Sequence, residues 1–352
     1  MNLDQRIEAF QTLGKFLSQF TEKEIKQQEN IPYNELFFEA FHMQIKRARE
    51  YNSWYTKENV LFAIEGWSKS LEIKNLTKWL SRYKVPENTP QTVAIIMAGN
   101  IPLVGFHDFL SVLISGHNAL VKLSSNDKQM LPLLAKYLEH INADFKGRIT
   151  FTEQKLENFN AVIATGSNNT SRYFDYYFGK HPNIIRKNRN SIAILTGNET
   201  TEELTALGDD IFQYFGLGCR SVSKLYVPES YNFDAFFEAM YKNKDIIYYD
   251  KYANNYDYNK AVYLMSLFKL KDNGFLILKE ESSFGSPIAT LFYEYYNDLE
   301  VLDTTLKSNS DKIQCIVNNS INANYIDFGD TQTPKLWDYA DGIDTIEFLI
   351  KL

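Results

Sequence analysis

Cysteine is scarce in this sequence, and its scarcity excludes two kinds of stabilising site. The 352 residues contain two cysteines, Cys219 and Cys315, and five histidines. Two cysteines cannot form the disulfide framework of a small secreted domain, and no Cys/His cluster has the spacing of a structural zinc site. We therefore expect no metal site and a reducing, cytoplasmic setting.

Long apolar runs and an excess of positive charge are also missing. No run reaches transmembrane length, and the first residues lack the apolar stretch of a signal peptide. The formal net charge of −7 offers no basic surface for nucleic acid. We expect neither a transmembrane segment nor a nucleic-acid partner.

The composition is that of a globular protein, with 44% hydrophobic and 15% aromatic residues, and the length predicts two domains. Residues 1–88 show helical periodicity, with an apolar stripe from Leu3 to Phe20 and further helices predicted over 34–51 and 56–71. Pro86 and Pro90 close this segment. We expect it to pack on the domain that follows.

From residue 89 onward, short β-branched runs alternate with helical patterns. Strands are predicted near 93–97, 119–123, 149–152, 161–164 and 191–195, with helices over 103–115, 127–141 and 169–178. A second such unit follows residue 199, with strands near 275–278, 288–293 and 313–317. This alternation predicts two α/β domains, 89–198 and 199–328, and a tail over 329–352. Ligands of such parallel sheets gather at the carboxyl ends of the strands.

Cys219 lies in a glycine-containing joint between a predicted helix and the predicted strand 222–227. A thiol beside unpaired backbone N–H groups is suited to nucleophilic attack, although an isolated cysteine is more often a small buried hydrophobe. Cys315, in the middle of an apolar strand, is expected in the core. The tyrosine-rich stretch 248–263 is interpreted as a surface that covers the core, or as a pocket wall.

Three strand ends carry polar motifs. Asn100 follows the first strand, where its amide could donate to a ligand or cap the next helix. Lys122 and Ser124 end the second strand, where the lysine could reach the same crevice or simply lie exposed. Thr165-Gly166-Ser167 joins a strand to a helix whose N-terminus could hold a phosphate group.

These motifs, with Cys219, resemble in order those of the aldehyde dehydrogenase superfamily. Asn100-Ile101-Pro102 resembles the Asn-Phe-Pro whose asparagine helps to form the oxyanion hole, and 116–124 resembles the Gly-Asn-x-x-x-x-Lys-Pro-Ser whose lysine contacts the adenosine ribose. Thr165-Gly166-Ser167 resembles the Thr-Gly-Ser at the pyrophosphate-binding helix, and Gly218-Cys219 resembles the nucleophile loop. The resemblance implies an α/β fold with two Rossmann-like parallel-sheet domains and a helical N-terminal segment.

Within that superfamily the chain is most similar to the acyl-CoA reductase family, to which the reductase subunit of the bacterial luminescence fatty-acid reductase belongs. The similarity includes the helical first segment and the stretches 166–172, 180–190 and 216–228. It implies NADPH-dependent reduction of a fatty acyl-CoA to the aldehyde through an acyl group on Cys219. It also implies a homo-oligomer, a dimer or tetramer, and an acyl-transferring partner protein.

Three departures from the superfamily pattern bear on the reaction. Arg186 to Asn190 stand where aldehyde-oxidising members have a glutamate that activates water, so hydrolysis of an acyl-enzyme should be slow. Ser125 replaces a glutamate that bonds the ribose of NAD, and Lys122 can pair with a 2′-phosphate, which favours NADPH while leaving NADH open. Ser282 replaces a glutamate that contacts the nicotinamide ribose, and Glu281 lies one position earlier.

Two other interpretations remain open at the level of sequence. The same fold could serve an acyl phosphate reductase or an aldehyde dehydrogenase, although the missing glutamate disfavours oxidation. A non-catalytic nucleotide- or acyl-binding protein could also retain the architecture. An acyl adduct on Cys219 would distinguish an enzyme from such a binding protein.

Overall fold

The computed structural model describes residues 1–87, 89–318 and 320–352 and divides them into two units. Unit 1 comprises Met1–Lys187 and Lys335–Leu352, and unit 2 comprises Asn188–Pro334. The division falls before the strand near residue 191, because that strand pairs within the second sheet, whereas the sequence analysis ends the first domain at 198. Residue 88, where the first predicted boundary falls, lies outside the described residues.

The first segment is helical, as its periodicity predicts. Its helices are α1 (Leu3–Leu17), α2 (Asn34–Tyr51), α3 (Lys57–Ser70) and α4 (Ile73–Leu80). Asn2 and Gln5 form a capping box at the start of α1, and Thr56 caps α3 by accepting from the Asn59 N–H. The apolar face of α1, with Phe10 and Leu13, is buried in one core with residues of the first sheet, so these helices belong to unit 1.

The first sheet is entirely parallel, and its strand order is β3-β2-β1-β4-β5. Its elements are β1 (Thr92–Ile96), α5 (Phe106–Ile114), β2 (Asn118–Lys122), α6 (Met130–Ile141), β3 (Ile149–Phe151), β4 (Ala161–Thr165), α7 (Asn168–Phe178) and β5 (Asn183–Arg186). The chain moves outward from β1 in one direction and then returns to the other side of it. This is the order of a Rossmann sheet, which places a ligand crevice where the order reverses, beside β1.

Two helices of this unit begin later than the sequence predicts. The helix expected from residue 103 starts at Phe106, because Leu103 has the left-handed conformation, with φ of 55°, and cannot continue a helix. The helix expected from residue 127 starts at Met130. Strand β5 was not predicted.

The second sheet has the order β11-β6-β7-β10-β9-β8, with antiparallel pairing only between β8 and β9 among the described residues. Its elements are β6 (Asn190–Ile194), α8 (Thr201–Phe212), β7 (Val222–Pro228), α9 (Phe233–Met240), α10 (Asp250–Met265), β8 (Leu270–Asp272), β9 (Ile277–Glu280), β10 (Thr290–Tyr296), α11 (Leu299–Ser308) and β11 (Ile313–Val317). The two α/β units with parallel sheets confirm the predicted fold class.

The tyrosine-rich stretch forms α10, and its tyrosines cover the core of unit 2. Tyr252 and Tyr256 are buried, and the Tyr252 hydroxyl donates to the carbonyl of Phe275 at 3.0 Å. Tyr258, on the same helix, is exposed. Cys315 is buried on β11, which confirms its expected place in the core.

The end of the chain returns to unit 1, where α12 (Thr345–Leu349) packs against α5. The imidazole of His117, just before β2, contacts the carbonyl of Leu349 at 2.9 Å. Among the described residues, no helix combines the length and the apolar character needed to cross a membrane.

Candidate active site

The polar motifs of unit 1 follow three neighbouring strands. Ile96 at the end of β1 is in register with Lys122 of β2 on one side and with Ala164 of β4 on the other. The carboxyl ends of these strands therefore lie side by side. The strand order reverses at β1, so these ends border the crevice at that point of the sheet. This is the position at which Rossmann sheets bind their ligands.

Hydrogen bonds hold the backbone of the loop that carries Asn100, and the side chain of Asn100 is exposed. The hydroxyl of Tyr55 lies 2.9 Å from the carbonyl oxygen of Ile101 and 3.2 Å from that of Gly99. A carboxylate oxygen of Asp127 accepts from the Leu103 N–H at 3.0 Å. Burial raises the pKa of Asp127 to about 6, against the opposing effect of its hydrogen bonds. Neither residue carries a sequence signal, since each reaches this loop only through the fold.

The Asn100 loop and the loop after β2 approach each other closely. A Cβ at Gly99 would lie 2.6 Å from the Ser124 hydroxyl oxygen, so a larger residue would force the two loops apart. The Lys122 ammonium donates to the carbonyl of Gln154 at 3.1 Å, and Ser125 is exposed. The carboxyl ends of β1 and β2 therefore bring together Asn100, Lys122, Ser124 and Ser125.

Thr165 ends β4, and Ser167 is the N-cap of α7. The Ser167 hydroxyl accepts from the Thr170 N–H at 3.3 Å. A Cβ at Gly166 would lie 3.0 Å from side-chain atoms of Thr170 and Phe174, so the absence of a side chain keeps this turn tight. The first turn of α7 offers backbone N–H groups and the positive end of the helix dipole, which fit the pyrophosphate of a dinucleotide.

Cys219 lies in unit 2, exposed, in the segment between α8 and β7. Helix α8 stops at Phe212 because Tyr214, Phe215 and Gly216 all have positive φ values, of 54°, 59° and 75°. A left-handed conformation is costly for a bulky residue and persists only where packing holds it. Phe215 is held by stacking on Tyr249, with ring centroids 4.6 Å apart.

A hydrogen-bond network anchors the segment on both sides of Cys219. The carbonyl of Cys219 accepts from the Ser191 hydroxyl at 3.0 Å, and the Arg220 guanidinium donates to the carbonyl of Thr331 at 2.8 Å. Thr331 is in turn bound to the buried carboxylate of Asp210 on α8, through its N–H at 2.9 Å and its hydroxyl at 2.7 Å. Sequence analysis missed this network, because its members are far apart in the chain.

Arg186, the first residue of the stretch 186–190, contributes to the interior of unit 1. Its buried guanidinium forms an ion pair with Asp108 of α5 and donates to the hydroxyl of Thr345 at 3.1 Å. The position therefore holds a structural cation that is already paired.

Glu281 is also engaged locally. One carboxylate oxygen accepts from the Lys279 ammonium at 2.6 Å, and the other accepts from the Ser282 N–H at 2.9 Å. The Lys279 ammonium holds the pKa of Glu281 below its usual range. The following loop is tied to β7, where the Lys224 ammonium donates to the carbonyl of Ser282 at 2.8 Å.

The structure thus groups one set of predicted residues within unit 1: Asn100, Lys122, Ser124, Ser125, Thr165, Gly166 and Ser167. The predicted nucleophile, Cys219, belongs to unit 2. Each set has the chemistry expected of it: amide, hydroxyl, ammonium and backbone donors in unit 1, and an exposed thiol on a constrained loop in unit 2.

Comparison with known proteins finds a matching protein family. The model of the acyl-CoA reductase (LuxC) family matches residues 5–243. No curated protein sequence matches the chain significantly.

Solved structures share the fold at low sequence identity. Aldehyde dehydrogenase 21 from Physcomitrella patens, in complex with succinate, is 12% identical with a TM-score of 0.64, over 100% of this chain and 84% of that one. An NAD-dependent benzaldehyde dehydrogenase from Corynebacterium glutamicum is 14% identical with a TM-score of 0.62, over 90% and 76%. A mutant of aldehyde dehydrogenase C from Pseudomonas syringae, with NAD+ and octanal, is 10% identical with a TM-score of 0.57, over 85% and 69%.

The fold is therefore that of the aldehyde dehydrogenases, and the family match spans more than half of the sequence. On this evidence the chain belongs to the acyl-CoA reductase (LuxC) family and is an oxidoreductase that acts on acyl groups and aldehydes.

Proposed function

We propose that this protein reduces a long-chain fatty acyl-CoA to the aldehyde with NADPH, through a thioester on Cys219. The observation that carries the proposal is the exposed thiol of Cys219 on a loop whose backbone is fixed by packing and hydrogen bonds. A nucleophile held in this way keeps its orientation without losing access to substrate.

In the acylation step the Cys219 thiolate attacks the carbonyl carbon of the acyl-CoA. The new S–C bond forms as the bond to the CoA sulfur breaks, and CoA leaves as its thiolate, which takes up a proton. The Cys219 N–H and the Asn100 amide, as the family resemblance implies, donate to the oxygen that becomes negative in the tetrahedral intermediate. Donors placed for that oxygen are among the largest contributions to acyl transfer.

The thioester should then resist water. A glutamate that activates water in aldehyde-oxidising relatives is replaced here by Arg186, whose charge is paired with Asp108 inside unit 1. A guanidinium cannot act as a general base, because it stays protonated at any physiological pH. Slow hydrolysis preserves the acyl group for reduction.

The residues at the carboxyl ends of β1, β2 and β4 fit a dinucleotide. The N-terminus of α7, with Thr165, Gly166 and Ser167, would hold the pyrophosphate. Lys122 and Ser124 would hold the adenosine ribose, and Ser125 would leave room for a 2′-phosphate that Lys122 can pair with. NADPH, when bound, supplies the hydride that converts the thioester to the aldehyde. NADH would supply the same chemistry without the 2′-phosphate contact.

Intact mass measurement after mixing with hexadecanoyl-CoA tests the proposal. The unaltered protein and the Cys315→Ala variant should each gain one acyl group, whereas Cys219→Ala should gain none. Added NADPH should remove the adduct and yield the aldehyde, and water alone should remove it slowly. An adduct that persists in Cys219→Ala, or one released mainly as free acid whether or not NADPH is present, would refute the proposed reaction.

A further inference from the structure

Unit 1 contains a cavity of about 300 Å³ whose lining includes none of the residues grouped in the candidate active site. Its walls include Pro90 before β1, Gly116 and His117 before β2, and Arg148 before β3. In a parallel sheet, the residues that precede the strands lie at the end of the sheet where all strands begin, and the residues that follow them lie at the opposite end. The cavity therefore lies at the amino-terminal ends of the strands, opposite to Asn100, Lys122 and Thr165. Its volume suits a small ligand.

Two arginines line this cavity without ion-pair partners among the described residues. Arg6, on α1, is only 6% exposed, and its one hydrogen bond there runs from Nη1 to the carbonyl of Met1 at 3.2 Å. Its Nε is buried and has no hydrogen-bond partner. Arg148 donates to the carbonyl of Gly116 at 3.0 Å. A desolvated guanidinium with unused donors is costly, and an anion would satisfy it.

The two positive charges influence each other across the cavity. Burial lowers the pKa of Arg6, and the charge of Arg148 lowers it further. Glu87, also in the wall, acts in the opposite direction but makes no ion pair with either arginine in the described structure. Two cations facing one carboxylate leave a positive balance, which attracts an anion.

The backbone at Gly116 leaves room for the guanidinium group of Arg6. Gly116 has a φ of 92°, and a Cβ there would lie 2.7 Å from Nη1 of Arg6. Asn2, the N-cap of α1, lines the same cavity, so the positive end of that helix dipole adds to the field. His117 adds no charge, since one ring nitrogen accepts from the Gln91 N–H and the other contacts the Leu349 carbonyl.

We propose that this cavity binds a small phosphate-bearing anion, held by the guanidinium groups of Arg6 and Arg148 beside the first turn of α1. Planar guanidinium groups pair with phosphate oxygens in a fork geometry, and two of them suit a doubly charged group better than a single carboxylate. This site is independent of the chemistry proposed for Cys219. The rival explanation is that the arginines serve only to bond backbone carbonyls, Arg6 that of Met1 and Arg148 that of Gly116.

Calorimetric titration of the full chain with inorganic phosphate, at ionic strength balanced with chloride, distinguishes these explanations. The unaltered protein should bind phosphate, and Arg148→Gln should bind about ten-fold more weakly or worse, because charge-assisted hydrogen bonds are lost. Arg47→Gln, an exposed arginine on α2, should bind as the unaltered protein does. Glycerol phosphate in a parallel titration shows whether a phosphomonoester binds better than the free ion.

Two results would overturn the proposal: no phosphate binding at millimolar concentration, or equal binding by Arg148→Gln. The second would place any bound phosphate elsewhere, such as at the start of α7. If Arg148→Gln does not fold, phenylglyoxal modification of the unaltered protein gives the answer, read by peptide mass. Phosphate should protect Arg148 but not Arg47, and equal modification of Arg148 with and without phosphate would reject the site.

Discussion

Asn100, the proposed oxyanion donor, lies on a loop whose backbone is held by side chains from other parts of unit 1. It lies exposed after β1, while the backbone on either side is held by the Tyr55 hydroxyl and, at Leu103, by Asp127. A donor that acts on a developing charge must be in place before the reaction, since reorganisation would consume the gain. The fixed loop backbone meets that requirement.

Replacing Asn100 with alanine should slow acylation of Cys219 about 100-fold, since an oxyanion donor is typically worth that much or more in rate. Rapid mixing with hexadecanoyl-CoA and mass detection of the adduct measures the rate. NADPH affinity, measured by fluorescence titration, should stay nearly constant. Asn160→Ala removes an amide at the other end of β1 and serves as the control. Acylation of Asn100→Ala at the unaltered rate would remove Asn100 from the reaction.

At the scale of elements, the loop of Cys219 depends on a carboxylate inside α8. Asp210 is fully buried and accepts three hydrogen bonds from Gly329 and Thr331, and Thr331 accepts from Arg220 beside the cysteine. Burial is the largest effect on this carboxyl and raises its pKa to about 6. The network therefore links the position of the loop that carries Cys219, the proposed nucleophile, to an ionisable group.

Asp210 should make the stability of the protein depend on pH. Below about pH 4 the carboxyl is protonated in both the folded and the unfolded chain, and its stabilising contribution is complete. Between about pH 4 and 6 the unfolded chain loses the proton first, so this contribution declines as the pH rises and is gone above the folded pKa. The decline should be on the order of 3 kcal/mol.

Denaturation of the unaltered protein and of Asp210→Asn at pH 4.5 and pH 7.5 measures this effect. The advantage of the unaltered protein over the variant should shrink as the pH rises. Asp209→Asn, on the exposed side of the same helix, controls for the loss of one carboxylate. A difference between the unaltered protein and Asp210→Asn that grows with pH would show that the hydrogen bonds outweigh burial.

The elements and motifs were predictable because their signals are local. Periodicity located α1 to α3 and most strands, and turn residues at strand ends located Asn100, Lys122 and the start of α7. The early end of α8 was not predictable, because Tyr214 and Phe215 carry no signal for a left-handed backbone and are held by distant packing. The structural roles of Tyr55, Asp127 and Thr331 were not predictable for the same reason, because they arise from contacts between remote parts of the chain.

On the scale of the whole molecule, the end of the chain contributes to the interior of unit 1. Tyr339 accepts a hydrogen bond from the Trp79 indole at 2.6 Å, and Asp344 accepts one from Tyr83 at 2.6 Å. Thr345 accepts from Arg186 on β5, whose charge is paired with Asp108. Arg186 thus connects strand β5, helix α5 and the returning tail.

This connection predicts that Arg186 cannot be removed alone. Arg186→Met should lower the free energy of unfolding by roughly 3–5 kcal/mol, because it leaves the Asp108 charge buried without its partner. Adding Asp108→Leu should recover much of that loss, since an apolar pair in the same space carries no desolvation cost. Urea unfolding followed by tryptophan fluorescence reports on unit 1, where Trp54, Trp67, Trp79 and Trp337 all lie. Lys187→Met, at an exposed neighbour, is the control and should change little. If Arg186→Met were as stable as this control, the ion pair with Asp108 would add nothing to the stability of the fold.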